Sequence, residues 1–264
     1  LMTSLVLSLF PGIGLLDMAF EEAGFCVVRG PDPLWGGDIH DFHPPAGKFD
    51  GVIGGPPCQA FSRLRHIVKA NGYETAPNLI PEFERVIEEA RPTWFLMENV
   101  PDAPEPEAIC DRARGRLYEV QSVMLRDVWV GGETNRLRRF SFGWAGVLSA
   151  PRFVIETLAL HRPDPEVAAL ASGGMRAQPV AIGGSGKRKD RGALARRGYK
   201  RTEDFTSHLR LQGLPPDFLA DAPFTVAGKI KAVGNGVPLP MGRAVARAVL
   251  KALARTPAEE PATP

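Results

Sequence analysis

The amino-acid sequence predicts an α/β fold with a doubly wound, mostly parallel sheet and a small, irregular second lobe. The first observation is a short apolar run near the N-terminus that leads through a glycine turn into a helical pattern. The second is a series of three further apolar runs, one of them preceded by an amphipathic stretch. Strands that alternate with helices pair in parallel and are covered on both faces. The third is a loss of this regularity from Trp144 to Phe205, which predicts the lobe.

The first unit reads as a strand, a glycine turn and a helix. Residues 4–10, "SLVLSLF", have the composition of a buried strand, and "PGIG" at 11–14 turns the chain. The following "LLDMAFEEAG" has apolar residues at helical spacing and stops at Gly24. The apolar residues that recur at helical spacing are Leu15, Met18, Ala19 and Ala23.

The second strand, "FCVVRG", ends near Asp32, about 20 residues after Gly12. Nucleotide-binding α/β folds place a ribose-binding carboxylate at this separation. Gly12 and Gly14 lack the third glycine of the dinucleotide fingerprint, so this pattern alone is a weak indication of a nucleotide site.

The third strand, Phe49 to Ile53, ends in two glycines and two prolines that precede Cys58. Glycine frees the backbone and proline donates no ladder hydrogen bond, so "GGPP" must end the strand. Cys58 therefore lies just past a strand end, where open α/β sheets bind their ligands. Position alone leaves two interpretations open, a reactive thiol and an inert buried cysteine.

The next segment, "PNLIPEFERVIEEARP", predicts an amphipathic helix that covers the sheet. The fourth strand, "TWFLMENV", follows it and runs directly into Glu98 and Asn99. The apolar stripe of the helix comprises Leu79, Phe83, Val86, Ile87 and Ala90, and the opposite, polar face comprises Glu84, Arg85, Glu88 and Glu89.

Composition narrows the class of protein. The chain has 264 residues with 44% hydrophobic residues, enough for a substantial core, and its net charge of +2 does not by itself indicate a polyanion partner. Three scattered cysteines favour a reducing, cytoplasmic setting over a disulfide framework or a zinc site. No basic segment precedes the apolar opening, and no apolar run is long enough to span a bilayer, so we expect neither a signal peptide nor a membrane segment.

A strongly basic segment lies within the irregular region. Residues 187–201 carry eight basic side chains and one acid among glycine hinges. A solvated loop and a nucleic-acid contact both fit such a run. The residues predicted to contact nucleic acid here are Lys187, Arg188, Lys189, Arg196 and Arg197.

Regular secondary structure is predicted again near the C-terminus. A glycine-asparagine turn at 234–235 leads into a helix, and the tail from residue 256 onward is predicted to be disordered. The residues of this helix predicted to pack inward are Ala244, Val245, Ala248, Val249 and Leu253.

Seven segments occur in a specific order: "SLFPGIG" (8–14), "GDI" (37–39), "GGPPCQAFS" (54–62), "ENV" (98–100), "NRLRRFSFG" (135–143), "RLQGLPPDF" (210–218) and "GNGVPLP" (234–240). In this order they resemble the DNA (cytosine-5)-methyltransferases, a family that uses S-adenosylmethionine. The resemblance covers nearly the whole chain except 144–205, where the family carries its variable target-recognition region. It implies a Rossmann-like methyltransferase fold.

The resemblance also implies the chemistry. Carbon 5 of cytosine is a poor nucleophile, so a thiolate, here Cys58, first adds to carbon 6. Glu98 would meet N3 of the base, and Arg138 the base oxygen. Asn99 would position the cysteine loop, Arg136 would organise the same region, and Arg139 is predicted to be framework or a phosphate contact. The implied catalytic residues are Cys58, Glu98, Arg138, Asn99 and Arg136.

A cofactor site follows from the same resemblance. Phe10 would lie on the adenine face, the glycine turn would approach the methionine part, and Asp32 would accept from the ribose. Asp38 and Ile39 would read the adenine edge. The implied cofactor-binding residues are Phe10, Gly12, Ile13, Gly14, Asp32, Asp38, Ile39, Pro57, Leu79, Asn235 and Val237.

The partner implied is double-stranded DNA, bound by a monomer that is cytoplasmic and associated with the nucleoid through DNA. The target base must be flipped out of the duplex. The segment after Cys58 would close over DNA, with contacts from Gln59, Ser62, Arg63 and Arg65. The implied organisation is a catalytic and cofactor-binding domain at 1–143, a target-recognition region at 144–205, a C-terminal return at 206–255 and a tail at 256–264.

Four positions depart from the family pattern. Ser8 and Leu15 stand where many members have Asp and Gly, Thr134 replaces a common Gln, and Asp32 is one methylene shorter than the usual Glu. Three alternatives stay open: a transfer RNA cytosine-5 methyltransferase, a catalytically silent DNA-binding protein of the same fold and, most remotely, a dehydrogenase.

Overall fold

The computed structural model describes residues 4–57, 77–106, 110–111, 116–145, 149–158 and 205–255. The strands are β1 (Leu5–Leu9), β2 (Cys26–Arg29), β3 (Gly51–Gly54), β4 (Trp94–Asn99), β5 (Cys110–Asp111), β6 (Arg116–Leu117), β7 (Glu119–Arg126) and β8 (Leu137–Trp144). The helices are α1 (Leu15–Glu22), α2 (Ile80–Ala90), α3 (Phe205–Leu211), α4 (Val226–Asn235) and α5 (Leu239–Arg255). Short 3₁₀ turns occupy Pro33–Trp35, Ile39–Asp41 and Asp127–Val130.

Six strands form one sheet in the order β2-β1-β3-β4-β8-β7. The first four in this order are parallel, and β8 runs antiparallel to both β4 and β7. The predicted doubly wound, mostly parallel sheet is therefore confirmed. The register pairs Leu9 with Gly54 and Gly54 with Met97, so the carboxyl ends of β1, β3 and β4 meet at one edge of the sheet.

Alternating side chains divide the core between the two faces of the sheet. Leu7, Val52 and Phe95 pack with the buried face of α2. On the other face, Val6, Ile53, Trp94, Leu96, Phe140 and Phe142 pack with α1 and α5. The bulky rings require glycine on neighbouring strands, since a Cβ at Gly51 would overlap the Trp94 indole and one at Gly143 would overlap the Phe95 ring.

The apolar positions of the predicted helices pack on the core, and one predicted turn is corrected. Met18 and Leu253 are half-buried and pack against core clusters, next to the buried Leu16, Phe20 and Ala252. Gly234 and Asn235 form the last turn of α4 instead of a separate turn.

Two side chains at the C-terminus of α4 explain why Gly234 and Asn235 are helical. The final carbonyls of a helix have no partner within it. Arg136 donates to Gly234 O and Gln212 donates to Val233 O, at 2.7 and 2.5 Å. Because these side chains satisfy the terminal carbonyls, the glycine-asparagine pair stays helical.

Phe153, which the prediction assigned to the target-recognition region, is buried against the core, whereas the other residues of 149–158 are half-buried or exposed. The Phe153 ring stacks on Phe142 with centroids 5.1 Å apart, and Phe153 N donates to Gln121 Oε1 at 3.0 Å. Residues 159–204, including the basic segment, and the tail 256–264 lie outside the described residues. Within the described ranges, every helix is too short or too polar to cross a membrane.

Candidate active site

Glu98 and Arg138 form an ion pair at the carboxyl edge of the sheet. Glu98 is the fifth residue of β4 and continues the row of Trp94 and Leu96. Arg138 lies on the neighbouring strand β8, diagonally from Glu98, which is directly opposite Phe140. The Arg138 Nε atom is 2.8 Å from Glu98 Oε1, and the two side chains are only 16% and 13% exposed. The guanidinium therefore fixes one carboxylate oxygen in a partly desolvated place, where a charge-assisted contact is strong.

The second Glu98 oxygen faces the "GGPP" segment. A Cβ added at Gly55 would lie 3.0 Å from Glu98 Oε2, so glycine leaves room for the carboxylate. Asn99 is buried and donates through Nδ2 to Pro56 O at 3.3 Å, while its Oδ1 accepts from Val100 N at 2.8 Å. These contacts fix the backbone at Pro56 to the end of β4.

Some of the predicted site residues lie outside the described part of the chain. Cys58 lies outside the described residues. The predicted DNA contacts Gln59, Ser62, Arg63, Arg65, Lys187, Arg188, Lys189, Arg196 and Arg197 lie outside them as well.

The three arginines of "NRLRRFSFG" have different surroundings. Arg136 donates to Gly234 O and, at 3.4 Å, to Asn235 O, so it joins β8 to the end of α4. Arg139 is buried, donates to Ala103 O and pairs with Glu105. Arg138 is paired with Glu98.

The glycine turn between β1 and α1 has a left-handed backbone. Gly12 and Gly14 have φ of 55° and 79°, and Gly14 N donates to Pro11 O at 2.8 Å. Asp32 accepts from Gly12 N at 2.9 Å and from Leu34 N at 2.7 Å. The carboxylate thus lies at the turn, and its remaining lone pairs can accept further hydrogen bonds.

Sequence reasoning missed Trp35, which lies at the same turn. Its Nε1 donates to Gly12 O at 2.7 Å, and its side chain is among the most exposed large apolar groups of the described residues, at 58%. Its ring is 5.8 Å from Phe224. The sequence carries no signal for this role, because the carbonyl that Trp35 binds lies 23 residues earlier in the chain.

A second group of predicted cofactor residues lies on the α2 side of the sheet. Phe10, Ile39 and Leu79 are buried in one apolar cluster. Asp38 accepts from His40 N at 3.0 Å and begins the 3₁₀ turn that carries Ile39. Pro57 is half-buried at the end of the "GGPP" segment.

Asn235 and Val237 lie on the opposite side of the sheet edge. Asn235 is the exposed last residue of α4, and Val237 is buried in the cluster that contains α1 and α5. A Cβ at Gly236 would lie 2.6 Å from Leu15 Cδ1, so Leu15, at a position where glycine is common in the family, packs directly on this segment.

Ser8, the first departure from the family pattern, is paired with a carboxylate from α1. Its hydroxyl donates to Asp17 Oδ1 at 2.5 Å, and Arg29 Nε lies 2.9 Å from Asp17 Oδ2. Burial raises the pKa of Asp17, and the Ser8 hydrogen bond and Arg29 oppose this shift. The Arg29 guanidinium also lies against Gly14, so this group of residues supports the glycine turn.

Thr134, another departure, is bound to a buried carboxylate. Its backbone N and its hydroxyl both donate to Asp127 Oδ2, at 3.0 and 2.7 Å. Burial raises the pKa of Asp127 to about 6, against the lowering effect of the two Thr134 hydrogen bonds. A Cβ at Gly132 would overlap this carboxylate, so the turn between β7 and β8 closes tightly around it.

Solved structures identify the class of fold. A DNMT2 mutant from Spodoptera frugiperda aligns with a TM-score of 0.62 and 15% identity over 94% of this chain and 100% of the other. The Entamoeba histolytica methyltransferase EhMeth aligns with a TM-score of 0.55 and 12% identity over 96% and 99%. The sheet order and the glycine turn thus define a Rossmann-like methyltransferase fold.

A family model described as C-5 cytosine-specific DNA methylase matches residues 35–159. The match includes "GDI", "GGPPCQAFS", "ENV" and the strand that carries Arg138. The stretch of this chain from residue 35 to residue 159 is therefore similar to the C-5 cytosine-specific DNA methylases.

Curated relatives agree over part of their length. The Type II methyltransferase M.NgoPII of Neisseria gonorrhoeae is 34% identical over 119 residues, which is 36% of this chain and 33% of the relative. The Type II methyltransferase M.AquIA of a Picosynechococcus strain is 36% identical over 121 residues, 36% of this chain and 48% of the relative. The aligned chain therefore spans a third to a half of the length of these two relatives.

Proposed function

We propose that the chain is a DNA (cytosine-5)-methyltransferase that transfers a methyl group from S-adenosylmethionine to carbon 5 of cytosine in a short double-stranded DNA site. One observation carries the proposal: the Glu98 carboxylate, held by Arg138 at 2.8 Å, faces Gly55, three residues before Cys58. A nucleophile and an acid for the same base would then belong to adjoining segments. The family and the Type II relatives support DNA as the substrate and a place in a restriction-modification system.

The residues around the glycine turn fit S-adenosylmethionine. A Cβ at Gly12 would meet no atom within 4 Å, so the space at this part of the turn is open for the cofactor to approach the backbone. Asp32 is in place to accept from ribose hydroxyls, and Phe10, Ile39 and Leu79 offer an apolar surface. When bound, S-adenosylmethionine supplies the methyl group as an electrophile.

The chain's own residues would activate the base. The Cys58 thiolate adds to carbon 6, a sulfur–carbon bond forms, and the electron pair of the 5,6 double bond becomes available at carbon 5. Glu98 protonates N3 or donates a strong hydrogen bond to it as negative charge develops there. Arg138 binds the base oxygen and keeps Glu98 in place. After methyl transfer, water removes the proton on carbon 5, and elimination re-forms the double bond and frees the thiolate.

The target base must leave the duplex before this chemistry can occur. Flipping it out costs a few kcal/mol, which protein contacts have to offset. We assign those contacts to the segment after Cys58 and to the basic residues of the 144–205 target-recognition region. A monomer acting on nucleoid DNA in the cytoplasm is the organisation we propose.

The direct test is transfer of tritiated methyl from S-adenosylmethionine to duplex DNA and, in parallel, to transfer RNA. We expect label in DNA alone, abolished in Cys58→Ser while DNA binding is kept. Label in RNA alone would establish the transfer RNA alternative. DNA binding by the wild type without transfer to either substrate would establish the silent DNA-binding protein.

A further inference from the structure

We propose that Arg85 is a positioning residue for the adenine end of the cofactor site, through the segment 38–42. The inference rests on the proposed function, because that segment matters only if Asp38 and Ile39 bind the cofactor. Arg85 lies on α2, on the face that the sequence pattern assigns to solvent, yet its side chain is only 26% exposed.

The Arg85 guanidinium binds two backbone carbonyls of this segment. Its Nη2 donates to Ile39 O at 2.7 Å and to Phe42 O at 3.1 Å, and its Nη1 also donates to Phe42 O at 3.1 Å. Ile39 O and Phe42 O flank the 3₁₀ turn Ile39–Asp41. The planar fork of an arginine holds both ends of the turn at once, which the single ammonium group of a lysine cannot reproduce.

Two carboxylates on α2 hold the guanidinium in this orientation. Arg85 Nε lies 2.8 Å from Glu82 Oε2, and Nη1 lies 2.7 Å from Glu89 Oε1. The same carboxylates face the segment itself, Glu82 at 3.4 Å from His40 Nδ1 and Glu89 at 3.0 Å from His43 Nδ1. The carboxylates, the guanidinium and the segment therefore form one network.

The segment lies between β2 and β3 and is not part of the sheet. Among the described residues, two hydrogen bonds to its backbone N–H groups are local, from His40 N to Asp38 Oδ1 and from Phe42 N to Ile39 O. The guanidinium of Arg85, in contrast, connects the backbone of the turn to a helix of the core. Ile39, whose carbonyl accepts one of these hydrogen bonds, packs in the same apolar cluster as Phe10 and Leu79.

The experiment measures binding of S-adenosylhomocysteine and S-inosylhomocysteine by calorimetry to wild type, Arg85→Lys and Arg85→Ala. The inosine analogue differs only at the adenine edge, where an oxygen and an N–H replace the amino group and the ring nitrogen. We expect Arg85→Lys to weaken S-adenosylhomocysteine binding about ten-fold, the equivalent of about 1.4 kcal/mol. We also expect the preference over the inosine analogue to fall several-fold, which a general loss of stability would not produce.

Arg243→Ala is the matched control, because Arg243 also forms a double ion pair, with Glu22 at 2.5 and 2.8 Å, on α5. It should leave both affinities unchanged. If Arg85→Ala does not fold, Arg85→Lys retains the charge, and amide exchange of the 36–44 peptide should be faster in it. If the ratio of the two affinities and the amide exchange of the 36–44 peptide are both unchanged in Arg85→Lys, this inference alone is overturned. If the wild type binds neither compound, the proposed function is overturned as well.

Discussion

The hydroxyl of Ser8, on β1, donates a 2.5 Å hydrogen bond to the carboxylate of Asp17, on α1, and both side chains are buried. Many family members carry the carboxylate at the position of Ser8. In this chain, a carboxylate reaches the same place from the helix. The Ser8 departure is therefore matched by a second residue, which the sequence did not reveal because helix and strand positions meet only in the fold.

The hydrogen bond between Ser8 and Asp17 predicts that substitutions at these two positions have non-additive effects on the free energy of unfolding. Ser8→Asp should lower the free energy of unfolding by about 2 kcal/mol or more, because it buries two carboxylates against each other. Asp17→Ser should lower it by about 1–3 kcal/mol through the lost hydrogen bond and ion pair. The double exchange Ser8→Asp with Asp17→Ser should recover most of the loss. Urea denaturation of the four proteins measures the coupling, and strictly additive losses would show that the two positions act independently.

The buried carboxylate of Asp127 predicts a pH dependence of stability. Its pKa is about 6 in the folded protein, above the ordinary value of 3.8, so the neutral form is favoured by folding. Protonated Asp127 contributes about 3 kcal/mol to the free energy of unfolding. This contribution is complete below pH 3.8 and is lost as the pH rises through about 6. Asp17, whose pKa is also raised, acts in the same direction.

Asp127→Asn should therefore flatten the decrease in unfolding free energy between about pH 4 and pH 6 without removing it. The Asn carbonyl can still accept both hydrogen bonds from Thr134. Urea unfolding at several pH values, read as a slope, separates this effect from any constant cost of the substitution. An identical slope in wild type and variant would contradict the prediction.

Substitutions of the adjacent arginines Arg138 and Arg139 on β8 should affect different properties, methyl transfer in the first case and stability in the second. Arg138→Ala removes the partner of Glu98, so we expect at least about a hundred-fold loss of methyl transfer, the scale of a lost charge-stabilising donor, with little change in stability. Arg139 is buried and tied to Ala103 O and Glu105, so Arg139→Ala should lower the free energy of unfolding by about 2 kcal/mol. Single-turnover transfer and urea denaturation of both variants test the contrast, and equal losses of stability would refute it.

The four parallel strands and their order along the chain were predictable because their signals are local, whereas the antiparallel strands β7 and β8 were not predicted. Apolar runs broken by glycine and proline mark β1, β3 and β4. The family motifs singled out Glu98 and Arg138, which form an ion pair in the structure, while their roles in catalysis stay predictions. Arg85 and Trp35 were not predictable, since their partners are backbone carbonyls 46 and 23 residues away in sequence. Gly234 was assigned to a turn because Arg136, 98 residues earlier, supplies the contact that keeps it helical.

Gly55 provides the sharpest test of the proposed acid. A Cβ at this position would lie 3.0 Å from Glu98 Oε2, a distance tighter than ordinary contacts, and the carboxylate is restrained on its other side by Arg138. Gly55→Ala should therefore displace Glu98 and reduce methyl transfer by about ten-fold or more, since small misplacements at reacting groups are costly. S-adenosylhomocysteine affinity should be unchanged.

Gly228→Ala, in helix α4, is the matched control for Gly55→Ala. Its Cβ would meet Thr225 Oγ1 at 3.3 Å and no catalytic group, and alanine is the better helix former. Glu98→Gln keeps the shape of the side chain but not its acidity, and combining it with Gly55→Ala should add little further loss. A full additional ten-fold loss in that double variant would mean that Gly55 acts through something other than Glu98.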